Sequence, residues 1–111
     1  MREVWPTLRQ TASFRETEQA CLALVETEIE VAFSFLRLAD AETNGGNDEH
    51  AAELIAKAVA THNVVLQYIQ NMRGESETEK RELWLEARRL FENIRAVERR
   101  RRQAGLQILA S

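Results

Sequence analysis

The 111-residue chain predicts an all-α fold, an up-down-up antiparallel three-helix bundle with a short N-terminal strap. Three observations carry this. Apolar residues recur at helical spacing in three long segments, with little strand-type alternation to compete. Four Gly and one Pro are few breakers for this length, so long uninterrupted elements follow. Helix-start chemistry opens each segment, and short connections make sequential helices antiparallel neighbours.

Residues 1–12 read as the strap, with Val4, Trp5, Pro6 and Leu8 covering one bundle end; a docking peptide for another chain is the rival reading. The bundle occupies residues 13–111. Its first helix, at about 13–44, opens on Ser13 with Glu16 three residues later, a reciprocal capping box. Phe14, Cys21, Leu24, Val25, Ile29, Val31, Ala32, Phe35, Leu36, Leu38 and Ala39 cover more than half its circumference, so packing on two sides is expected. The second helix, at about 48–72, is capped by Asn47, with Asp48 and Glu49 at the positive end of its dipole. Its stripe is Leu54, Ile55, Ala58, Val65, Leu66, Ile69 and Met72. The third, at about 76–109, opens on Ser76 and Glu79 and carries Leu83, Ala87, Leu90, Phe91, Ile94 and Val97, with Trp84 on the edge. Gly45 and Gly74 stand where a left-handed residue closes the preceding helix. The third helix should overhang the first turn, leaving Leu106, Ile108 and Leu109 to be covered by another subunit or to remain frayed.

Composition narrows the class. Hydrophobic residues at 44% and charged residues at 30% are those of a folded globular domain. No apolar run approaches the roughly 20 residues of a membrane span, and the N-terminus lacks the apolar centre of a signal peptide. The one cysteine, Cys21, forms no intramolecular disulfide, is expected buried and inert, and points to a reducing cytoplasm. The net charge of -3 hides an asymmetry: residues 80–102 hold nine Lys/Arg against four Glu, and the remainder six against fourteen. Such a dipole steers a partner or is matched within the fold.

The stretch DAETNGGNDEHA, residues 40–51, superficially has calcium-loop character. Asp40, Glu42, Asn44 and Gly45 fit the first, third, fifth and sixth positions of an EF-hand. The twelfth position, which must supply a bidentate Glu, is Ala51, and the eighth is Asn47 where an apolar residue belongs. An acidic helix–helix turn accounts for the same residues.

The longer stretch FLRLADAETNGGNDEHAAELIAKA resembles one tetratricopeptide repeat. Phe35 falls at the large aromatic position, Leu38 and Ala39 at the Leu-Gly pair, and Gly46 at the turn glycine. Ala51, Ile55 and Ala58 fall at the small-large-small positions of the second helix. Glu42 and Asn63 depart from the aromatic and the closing proline, and no second copy accompanies it, whereas repeat arrays need several. The hairpin is also similar to microtubule-interacting-and-trafficking domains. Either resemblance implies a scaffold that grips a helix or peptide.

Glu28 and His62 are the candidate polar site. A turn centred near Gly46 puts them in the same layer, each within an apolar stripe. A buried carboxylate is tolerable only when paired, so a buried contact, direct or through one water, is expected. It reads first as a structural pair, then as a groove site, and last as an acid–base pair, because no nucleophile accompanies it. A di-iron bundle needs Glu-x-x-His motifs on two helices, and the chain has only the reversed His50–Glu53 once. No metal or cofactor is therefore expected.

Arg99, Arg100, Arg101 and Arg102 invite a nucleic-acid reading, but four consecutive residues spread around a helix, whereas phosphate binding wants one basic face. Helix pairing places them near Asp40, Glu42, Asp48 and Glu49, so intramolecular charge matching is expected. The function expected is a small non-enzymatic interaction or scaffold bundle, a cytoplasmic homodimer using Trp5, Leu106, Ile108 and Leu109. The opposed reading is a small-molecule or metal-binding bundle centred on Glu28 and His62. Nucleic-acid binding through the Arg run stands third, and no membrane association is expected.

Overall fold

The computed structural model describes the backbone of residues 5–72 and 77–110 and the side chains of residues 19–72 and 77–107. Three helices make up the fold: α1 Trp5–Asn44, α2 Asp48–Gln70 and α3 Glu77–Ala110. The described residues contain no strand, and each helix packs on both others in an antiparallel three-helix bundle. The Ser76 cap and Gly74 lie outside the described residues.

The N-terminal strap is corrected. Residues 5–12 are helical and continuous with the rest of α1. Pro6 falls in the first turn, where its missing N–H has no intrahelical acceptor to lose. Ser13 therefore lies inside the helix and does not begin it.

The first turn is closed by Gly46, at φ 83°, and not by Gly45. The Asn47 N–H donates to the Glu42 carbonyl at 2.8 Å and the Gly46 N–H to the Thr43 carbonyl at 3.1 Å. These are the 6→1 and 5→2 bonds of a Schellman closure, which needs one left-handed residue. Asn47 then serves the next helix, its side-chain oxygen accepting from the His50 N–H at 3.3 Å. One residue thus ends α1 and caps α2, fixing their relative register.

Two core clusters lie along the bundle. Near the turn, Ala32, Leu36, Ala39, Ala51, Leu54, Ile55, Ala58, Leu90, Ile94 and Val97 pack together. Its four alanines are fully buried, and small side chains at a contact allow helix axes to approach closely. Toward the α2–α3 connection, Val25, Ile29, Val65, Ile69, Leu83 and Ala87 form the second cluster. Fully burying each Leu, Ile or Val contributes about 1.5–3 kcal/mol.

The broad apolar arc of α1 is only half used. Val25, Ile29, Ala32, Leu36 and Ala39 are buried, whereas Leu24, Val31 and Leu38 are 60%, 41% and 53% exposed. Cys21 is also exposed, correcting its expected burial. The principal extents are 78 × 22 × 15 Å. A 40-residue α1 spans about 60 Å at 1.5 Å per residue. The helices are therefore staggered, with the start of α1 and the end of α3 overhanging opposite ends. On the α3 overhang Leu106 is 65% exposed; the side chains of Trp5, Ile108 and Leu109 lie outside the described residues.

Candidate interaction site

Glu28 and His62 are not a buried pair. Glu28 is exposed and His62 half-buried, and the described residues include no buried charged or polar residue. The cause is helical phase. On α2, His62 lies about 40° from Ala58 toward α3, at 100° per residue, and its ring meets Phe91 at 5.4 Å. On α1, Glu28 lies at the edge of the Val25–Ile29–Ala32 stripe, on the flank shared with the exposed Leu24 and Val31. Burial among apolar neighbours holds the His62 pKa below its usual value.

The acidic turn and the Arg run do meet. Arg100 is bidentate to Asp40 at 2.9 and 2.7 Å. Arg101 donates to both Asp48 oxygens at 2.9 and 3.0 Å and to Glu98 at 2.8 and 3.2 Å. Arg102 reaches Glu98 at 3.3 Å, and His50 lies 3.4 Å from Glu42. Arg99 and Glu49 are exposed and join none of these pairs. The hydrogen bond from Arg101 pulls the Glu98 carboxyl below its usual range, against its partial desolvation. The bonds to Glu98 and then Asp48 raise the Arg101 pKa. Two of the four arginines of the run, Arg100 and Arg101, are thus paired with cross-helix carboxylates.

The feature that sequence reading assigned to the core, and the structure opens, is a groove between α2 and α3. Its volume is about 230 Å³, and His62, Leu66, Trp84, Ala87, Arg88 and Phe91 line it. Trp84 and Phe91 are 49% and 43% exposed. A second recess of about 340 Å³, bounded by Ile69, Gln70, Glu77, Lys80, Arg81 and Trp84, continues it past the indole. Trp84 is the shared wall. Arg95 lies over the Phe91 ring at 5.8 Å. Along α3 the order Arg81, Trp84, Arg88, Phe91, Arg95 steps by three and four, which sets all five on one ridge. That spacing is readable from sequence, but Phe91 also neighbours Leu90 and Ile94, so periodicity alone assigns it to the core.

On the α1–α3 side, Leu22, Glu26, Glu79, Glu82, Leu83 and Glu86 surround a small recess of about 40 Å³. Among the described residues, no three His, Cys, Asp or Glu side chains converge to hold a metal ion. No described helix is long and apolar enough to cross a membrane. No family model, curated protein or solved structure matches the chain.

Proposed function

We propose that the protein is a non-enzymatic interaction bundle that self-associates, acting in the cytoplasm as a small scaffold. The observation that carries this reading is the α2–α3 groove, an apolar trough with Trp84 and Phe91 half open to solvent. Exposed aromatics beside arginines form the anchor chemistry of protein interfaces, where Trp, Tyr and Arg dominate binding energy. A trough between two helices suits the apolar face of a third helix. The tetratricopeptide-like look of residues 35–58 supports the same use, a rigid hairpin holding up a helix-binding face. Glu28, exposed on α1, and His62, against Phe91 on α3, lend little to a small-molecule or metal site centred on them.

Sedimentation of the intact chain across the micromolar to millimolar range tests this reading. The weight-average mass is expected to rise above the 12.8 kDa of one chain. A mass that stays there throughout would contradict self-association.

A further inference from the structure

Resting on the self-association reading, we infer that the α2–α3 groove receives the outward stripe of α1 from a second copy of the chain, namely Leu24, Val31 and Leu38 with Glu28 among them. These residues recur every seven positions and are exposed, the repeat that keeps apolar side chains along one seam of a helix. Their own bundle leaves the seam uncovered, because α1 packs through the stripe from Val25 to Ala39.

The groove has the same period. Trp84 and Phe91 are seven apart, as are Arg81, Arg88 and Arg95. Seven residues rise about 10.5 Å on either helix, so consecutive stripe residues match the spacing of the two aromatic anchors. The order on α1, Leu24, Glu28, Val31, is apolar, acidic, apolar. The order on α3, Trp84, Arg88, Phe91, is aromatic, basic, aromatic. A helix seated with its apolar residues on the aromatics brings Glu28 to the level of Arg88.

Charge supports this occupant. Residues 16–36 contain five Glu and no Lys or Arg. At the turn end, α1 carboxylates are answered within the chain, as in Arg100 with Asp40 at 2.7 Å. Among the described residues, Glu26, Glu28 and Glu30 join no ion pair with α3, and Arg88 makes an exposed contact with Glu92 at 3.5 Å, one turn along its own helix. Arg95 rests on Phe91. The opposite charges of the two faces remain open to each other across copies, and complementary potentials select partner and register. Leu66 and Ala87 give the groove an apolar floor, which suits side chains of a docked helix better than stacked bases. The stripe and the groove are different patches, so the contact is heterologous, each copy offering one of each.

Two variants test the pairing. Arg88→Glu with Arg95→Glu disables the groove and keeps the stripe; Val31→Lys disables the stripe and keeps the groove. All three sites are exposed, and native helicity by circular dichroism is the control; Trp84→Ala and Leu24→Ser replace any variant that fails it. Each variant alone is expected to associate on the order of tenfold more weakly than the parent chain. An equimolar mixture is expected to restore association as a 1:1 complex of twice 12.8 kDa, because one intact stripe meets one intact groove. Variants that associate like the parent, or a mixture no heavier than its components, would overturn the pairing and leave self-association standing. A parent chain that never exceeds 12.8 kDa would remove both. Binding of poly-dT or of an unrelated acidic helical peptide by the parent chain that is lost in Arg88→Glu with Arg95→Glu, with no 1:1 complex in the mixture, would overturn a second copy as the occupant.

Discussion

The two ends of the bundle solve opposite problems. At the turn end, four buried alanines and Leu36 bring the helices close, and the surface charges are answered across helices by Arg100 with Asp40 and Arg101 with Asp48. Toward the α2–α3 connection the side chains are larger, Trp84 stands out of the core, and charge is sorted by face. Glutamates Glu26, Glu82 and Glu86 gather on the α1–α3 side, and Lys80, Arg81 and Arg88, with Glu77 beside them, on the α2–α3 side. A stretch that satisfies itself adds stability. A stretch that keeps apolar area and like charges exposed gives some stability up, and such patches mark interaction surfaces. The comparison teaches that the turn end pairs its charges across helices, while the face toward the connection leaves Trp84 half open to solvent.

The sharpest way to break this comparison is to remove a large side chain from each region. Leu36 is 1% exposed, and Leu36→Ala is expected to cost about 2–5 kcal/mol in urea unfolding, the range for cavities in packed cores. Trp84 is the larger residue but is 49% exposed, and Trp84→Ala is expected to cost less, about 1 kcal/mol or below. Equal losses would show that the groove residue is part of the structural core.

Acid titration sharpens it further. Glu98 has its pKa lowered by its hydrogen bond from Arg101. A carboxyl with a depressed folded pKa contributes stability that is complete above its unfolded value, near 4.5, and is lost as pH falls through the lower folded value. The pair is part-exposed, so the contribution is about 1 kcal/mol or less. Glu98→Gln should flatten stability against pH in that acid window and leave it unchanged at pH 7 to 8 apart from a constant offset. A variant that retains the parent's full acid slope would assign that slope to other carboxylates.

Much of the fold was legible because it depends on local chemistry. Three apolar stripes, Asn47 before Asp48 and Glu49, and paired glycines gave three antiparallel helices and the α2 start. The meeting of Arg100 with Asp40 followed from the position of that turn. What was not legible depended on azimuth and on competition between signals. Ser13 and Glu16 form a good capping box, yet helix continues upstream to Trp5, since Pro6 fits a first turn. Gly45 and Gly46 are adjacent, and only the backbone bonds at Thr43 and Glu42 decide which is left-handed. Glu28 is exposed on α1, whereas His62 meets Phe91 on α3. Leu24, Val31 and Leu38 were counted with the core because an apolar residue at helical spacing reads the same whether it faces its own bundle or another molecule.

The central claim, that the face around Trp84 is where a second copy docks, is tested most directly by the indole itself. In a Trp5→Phe chain, Trp84 is the sole tryptophan, and its emission reports its own exposure. As concentration rises from nanomolar to hundreds of micromolar, the emission maximum is expected to move to shorter wavelength, in step with the increase in sedimenting mass, as the half-open ring is covered. An emission maximum that stays fixed while the mass increases would contradict docking at Trp84.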